Sequence, residues 1–119
     1  MRMTRGVVVR YVSAGVRGLP SQAGWPFARI EVSGGEARTR LFRTGVAVPS
    51  STPVEVREPT SQFGKRAIRT ELRFQLAPPQ TGVAIVEILF HDRTRAQEAL
   101  AALREAGFEI VADGAGPRT

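Results

Sequence analysis

The chain has 119 residues, 42% of them hydrophobic and 24% charged, which is enough for one packed core and too little for two. It contains no cysteine, which excludes disulfide scaffolds, thiolate metal sites and cysteine nucleophiles. No apolar run approaches the ~18 residues of a membrane helix, and the start, Met1-Arg2-Met3-Thr4-Arg5-Gly6, lacks the apolar stretch of a secretory signal. These features read as a soluble cytoplasmic protein.

The net charge of +6 is uneven. Residues 1–57 hold Arg2, Arg5, Arg10, Arg17, Arg29, Arg38, Arg40, Arg43 and Arg57 against Glu31, Glu36 and Glu55, whereas acids and bases balance in 58–119. That asymmetry points to an acidic partner: nucleic acid, an anionic membrane surface or an acidic protein patch. All the basic residues except Lys65 are arginine, which suits bidentate contacts to phosphate or carboxylate and also suits the codon bias of a GC-rich genome.

In chain order, Val7–Val12 is rich in β-branched residues and predicts a strand. Residues 13–26, with Gly15, Gly18, Pro20, Gly24 and Pro26, lack periodicity and predict a long loop, with Trp25-Pro26-Phe27 as the apolar anchor that pins it to the core. Phe27–Val32 and Glu36–Arg43 flank Gly34-Gly35 and predict a hairpin, since the glycines supply the positive φ of a tight turn. Ala28, Ile30, Val32, Ala37, Thr39 and Leu41 would face inward; Arg29, Arg38, Arg40 and Phe42 would face outward.

Val46–Val48 and Val54–Arg57 read as short strands confined by prolines to an edge, the place where a partner strand would add. Ile68, Thr70, Leu72, Phe74 and Leu76 alternate with Arg69, Glu71, Arg73 and Gln75, which predicts one buried and one solvated face before a turn at Pro78–Gly82. Val83–Phe90 is apolar except at Glu87 and reads as a strand covered on both faces, with Glu87 buried against an arginine. Ala96, Ala99, Leu100, Leu103 and Ala106 form a helical stripe over about 93–106; Asp92, or Thr94 in a capping box with Gln97, can start it, and Gly107 ends it. Phe108 and Ile110 would pack back onto the core, so that residues 1–112 form one domain with 113–119 as a disordered tail.

Catalytic groups are sparse. His91 is the single histidine and Asp92 and Asp113 are the only aspartates, so a metal site or a Ser-His-Asp triad has almost no candidates, and Asp92 beside His91 is better read as a helix cap than as part of a catalytic pair. The glutamates lie mainly on polar strand faces, where solvated carboxylates belong. Neither Gly34-Gly35 nor Gly15-Val-Arg-Gly18 leads from a strand into a helix as a phosphate loop does. The residues therefore describe no enzyme, cofactor or metal centre. The best binding candidates are Arg29, Arg38 and Arg40 with Phe42 beside them, and Trp25, a basic surface with interleaved aromatics. A plain solvated arginine face flanked by Glu31 and Glu36 accounts for the same arginines.

Trp25-Pro-Phe-Ala-Arg-Ile-Glu-Val32, the glycine turn, and Ala37–Phe42 resemble the opening strands of small pleckstrin-homology-like (PH-like) proteins of high-GC bacteria, and Ala99-Leu-Ala-Ala-Leu-Arg-Glu-Ala-Gly-Phe108 is similar to their closing helix. The resemblance covers residues 25–108. It implies an α+β, mostly β fold: two packed antiparallel sheets or a partly open barrel of six to seven strands, capped by one C-terminal helix. Fold alone does not give function; with catalytic groups so sparse, the chain reads as a non-catalytic binding or interaction module, first for a protein partner. A nucleic-acid-binding domain using the N-terminal arginines is the alternative, and a structural subunit of a bacterial or phage assembly a third.

Overall fold

The computed structural model describes residues 1–15, 21–58, 62–63 and 66–112. The fold is mostly β, with one helix near the C-terminus and two packed sheets that do not close into a barrel. The strands in chain order are β1 (Arg2–Met3), β2 (Val7–Ser13), β3 (Ser21–Ala23), β4 (Ala28–Ser33), β5 (Glu36–Leu41), β6 (Thr44–Pro49), β7 (Val54–Arg57), β8 (Gln62–Phe63), β9 (Arg66–Ala67), β10 (Thr70–Gln80) and β11 (Val83–Phe90); helix α1 (Arg93–Glu105) and β12 (Ile110–Ala112) follow. One sheet has the order β1-β4-β5-β6, the second β12-β7-β10-β11-β2-β3, and β8 and β9 form a small ribbon.

Each large sheet turns one face inward because its strands alternate. Ala28, Ile30, Val32, Ala37, Leu41, Val46 and Val48 of the smaller sheet meet Val9, Tyr11, Val54, Leu72, Phe74, Val86, Ile88 and Phe90 of the larger, all buried in one cluster. A polar link joins the two layers inside it. The Tyr11 hydroxyl lies 2.8 Å from Thr39 Oγ1, which donates to Val46 O at 3.1 Å. The Tyr11 hydroxyl also lies 3.4 Å from Thr44 O, and burial raises its pKa above the ordinary phenol value.

Helix α1 covers the core with Ala96, Ala99, Leu100 and Leu103. Asp92 is its N-cap, its carboxylate accepting from Thr94 N at 2.8 Å, so Thr94 lies inside the helix and the Thr94–Gln97 capping box does not form. At the other end Gly107, at φ +99°, donates to Arg104 O, and Phe108 N donates to Leu103 O. This Schellman closure turns Phe108 back into the core, its ring edge-on to Phe74 at 6.0 Å.

Several expectations need correction. The loop after β2 contains β3, which pairs with Val9–Tyr11; Ser-Gln-Ala carries no β-branched signal. β10 starts at Thr70 and runs through Pro78-Pro79 to Gln80, leaving only Thr81-Gly82 as the turn, with a register shift between Gln75 and Gln80 absorbing the prolines. Ile68 packs away from the main core, with Val8 and Leu89 on the opposite face of the larger sheet. β12 pairs with β7 in parallel, so the larger sheet is not wholly antiparallel and β7 is not an edge. The edge of β6 is also closed at its middle: Gln80 accepts from Ala47 N at 2.8 Å and donates to Ala47 O at 2.7 Å, as a neighbouring strand would. The expected tail 113–119 lies outside the described residues, as do residues 16–20 of the predicted loop. Among the described residues no helix is long and apolar enough to cross a membrane.

The helix stripe carries a direct test. Leu103→Ala, at a fully buried position, should destabilise the domain by about 2–5 kcal/mol in urea unfolding; a variant as stable as the parent would mean that α1 does not pack on the sheets.

Candidate functional site

Cross-strand register determines what the outer face of the smaller sheet presents. With Ala28, Ile30, Ala37 and Leu41 turned inward, the intervening residues point out, and pairing sets Glu31 opposite Arg38 but Arg29 opposite Arg40. Like charges facing each other across strands are destabilising. Arg38 is drawn off to Glu36, with which it forms an ion pair. Among the described residues no carboxylate lies within ion-pairing distance of Arg2, Arg5, Arg29, Arg40 or Arg43.

The uncompensated arginines border a cleft of about 540 Å³, lined by Arg2, Thr4, Trp25, Pro26, Phe27, Ala28, Arg29, Arg40, Phe42 and Arg43. Three aromatic side chains stand open there: Trp25 is 54% exposed, Phe27 55% and Phe42 52%. The Trp25-Pro26-Phe27 segment therefore does not anchor the loop to the core. Phe27 N is instead held by Gly24 O at 2.8 Å, and Phe42 N by Phe27 O at 2.7 Å, so backbone hydrogen bonds set the rings outward. The Phe27 and Phe42 rings lie 5.4 Å apart, and the Arg5 guanidinium sits 4.4 Å from the centre of the Trp25 ring.

Phe42 is not a strand residue, as the alternation had suggested. Leu41 pairs with Thr44, so Phe42 and Arg43 form the two-residue turn between β5 and β6, and Phe42 has φ +56°. Glycine or asparagine is favoured at such a position, and the left-handed region costs a side-chain-bearing residue roughly 1–2 kcal/mol. A bulky, half-exposed ring held there gains little burial in return. The turn carbonyl accepts from Arg40 Nε at 3.2 Å, which holds that guanidinium at the cleft wall.

Of the residues expected at the site, Trp25, Arg29, Arg40 and Phe42 line one cleft, whereas Arg38 lies in a neighbouring groove that also includes Arg29 and Arg40, and is paired to Glu36. Sequence reasoning missed Arg2, Arg5, Phe27 and Arg43. Arg2 comes to the site because β1 pairs with β4, a two-residue pairing without a periodic signal, and Arg5, three residues on, reaches it over the Trp25 ring.

The other cluster of interest lies on the outer face of the larger sheet. Gln22, Arg10, Glu87, Arg73 and Glu55 are successive cross-strand partners over five strands. Glu87 is buried, as expected, accepting from Arg10 at 2.9 Å and lying 3.7 Å from Arg57 and 3.8 Å from Arg73. Glu71, expected in solvent, is buried as well and accepts from Arg57 at 3.1 Å. Burial and the adjacent Glu87 carboxylate push the Glu71 pKa above the ordinary value of 4.5, and Arg57 opposes them. The two carboxylates are held among arginines as a structural network. His91 donates through Nδ1 to Ala67 O at 3.0 Å, since a carbonyl can only accept. Asp92 is occupied as the helix cap. Among the described residues no three His, Asp or Glu side chains converge as metal ligands would.

The chain was compared with known protein families, curated proteins and solved structures, and nothing in them matches it.

Two measurements follow. Phe42→Gly should leave stability within about 1 kcal/mol of the parent, because relief of the left-handed strain offsets the lost ring contact, far from the roughly 3–5 kcal/mol of a buried phenylalanine truncation. For Glu71, a raised folded-state pKa means that its contribution to stability is fully present below about 4.5 and is lost as pH rises through the raised value. Glu71→Gln should flatten that part of the stability-against-pH curve, read by denaturation at successive pH values.

Proposed function

We propose that this protein is a non-catalytic binding module of PH-like type and that its ligand is single-stranded nucleic acid, held in the aromatic–arginine cleft. The observation that carries the reading is the coincidence of three half-exposed aromatic rings with four unneutralised arginines around one concavity. Proteins that hold single strands without sequence preference combine these two elements, guanidinium groups for phosphates and aromatic faces on which bases stack. The PH-like part of the reading is supported by the two packed sheets and the closing helix.

An added protein strand, the partner favoured from sequence, has less support. β7 is covered by β12, and Gln80 occupies the hydrogen-bonding groups of Ala47 on β6. A membrane surface would call for apolar side chains projecting clear of the protein, whereas Trp25, Phe27 and Phe42 line a hollow with arginines on its walls.

Trp25 is the only tryptophan, so its emission reports the site directly. Titration with oligothymidylate should quench it, with log K falling against log salt at about −0.7 per phosphate engaged. Combined Arg29→Ala and Arg40→Ala should weaken binding at least tenfold while stability stays within about 0.5 kcal/mol of the parent. Absence of quenching, together with sedimentation on phosphatidylserine vesicles, would replace this reading with a membrane one.

A further inference from the structure

A second basic concavity, of about 480 Å³, lies where β11 passes into α1 and is lined by Arg66, Arg69, His91, Asp92 and Arg93. Arg93 has one weak exposed contact, 3.5 Å to Glu58, and among the described residues Arg66 and Arg69 have no carboxylate within pairing distance. The Nδ1–H of His91 donates to Ala67 O at 3.0 Å and ties the ribbon that bears Arg66 to the start of the helix that bears Arg93. The arginines on α1 stand against local preference. The first turn of α1 contains no acidic residue and instead begins Arg93-Thr94-Arg95, although the positive end of a helix dipole favours carboxylates.

This concavity and the aromatic cleft belong to the same end of the molecule. Val7 at the start of β2 pairs with Phe90 at the end of β11, one residue before His91, and Phe90 pairs with Thr70, one residue after Arg69. Gly24, which precedes Trp25, packs against Val7 O. The side chain of Arg95 lies so close to Gly6 that an added Cβ would sit 2.8 Å from its Cδ, and the next residue back, Arg5, covers Trp25. Arg5 and Arg95 thus add positive charge next to Trp25 and Gly6, at the end of the molecule that holds both hollows.

We infer that the strand does not end in the aromatic cleft but continues past Arg5 and Arg95 into the arginine concavity at Arg66, Arg69 and Arg93, so that the ligand is a polyanion long enough to occupy both. This rests on the single-strand reading of the cleft. The molecule measures 34 × 32 × 30 Å along its principal axes, and a strand crossing one end of it falls within the roughly 4–16 nucleotides that comparable β platforms occupy. The first segment has rings for bases; the second has guanidinium groups and His91 but no described aromatic side chain in its lining, so it engages backbone phosphates. Electrostatic contact of that kind shows in the salt slope.

The test compares oligothymidylates of about 3 and about 12 nucleotides, chosen to fill the cleft alone or both hollows, on the whole chain, with Trp25 emission as the readout. For the parent protein the longer strand should bind at least tenfold more tightly, with a salt slope steeper by about 2 units, since three further phosphates contribute about −0.7 each. Arg66→Ala, Arg69→Ala and Arg93→Ala together should abolish that gain and leave the short strand's affinity unchanged. Equal slopes for the two lengths would overturn this inference, and so would a triple variant that binds both strands as the parent does. The parent's length dependence needs no variant and decides the matter even if the triple variant folds poorly. Failure of both strands to quench Trp25 would overturn the single-strand reading itself, a result distinct from quenching that is independent of length.

Discussion

The organising constraint is the two-residue period of a β-strand combined with a core that takes only one face of the smaller sheet. Once Ala28, Ile30, Val32, Ala37, Thr39 and Leu41 are buried, every odd or even neighbour is committed to solvent, and the hairpin register brings Arg29 directly across from Arg40. No rearrangement inside the sheet can separate them, because a slip of one residue would turn the apolar set outward. The repulsion is a fixed property of the fold, and an anion between or beside the two guanidinium groups relieves it.

Charge on the larger sheet is handled differently under the same geometry. Its outer face alternates in sign across the strands, from Arg10 to Glu87 to Arg73 to Glu55, and the buried carboxylates Glu71 and Glu87 are surrounded by guanidinium groups. Removing one partner from such a cluster leaves a buried charge exposed to a low dielectric, which costs several kcal/mol. Among the described residues the arginines therefore differ in kind: Arg10, Arg57 and Arg73 of the larger sheet are paired with carboxylates, and those at the cleft are not. Net charge alone does not distinguish them.

The elements with strong periodicity were legible from residues. The helix over 93–106, the glycine stop at Gly107, the Gly34-Gly35 hairpin and the inward sets of β4 and β5 all stand as read, and so does the burial of Glu87 against arginine. Elements made by pairing without a pattern were not legible. β1 and β3 are short and lack β-branched residues, and exist because a neighbouring strand offers free backbone groups. Glu71 looked solvated because alternation describes one sheet face at a time and says nothing of what lies above it. Trp25 and Phe27 looked like anchors because large aromatics usually bury their area, and here backbone hydrogen bonds hold them open.

By itself, then, the sequence determined the mostly β class, the single closing helix, the inward faces of the central hairpin and the presence of excess arginine in the first half, since all of these follow from composition and from periods of 2 and 3.6 residues. Only the tertiary structure decided which arginines, among the described residues, remain without a carboxylate, that Arg2 joins Trp25, Phe27 and Phe42 at one cleft, that Arg5 stacks on Trp25, and that Arg95 lies against Gly6. The reason is that neutralisation and convergence depend on distances between residues far apart in the chain, and those distances are settled by strand pairing and helix packing, about which local pattern carries no information.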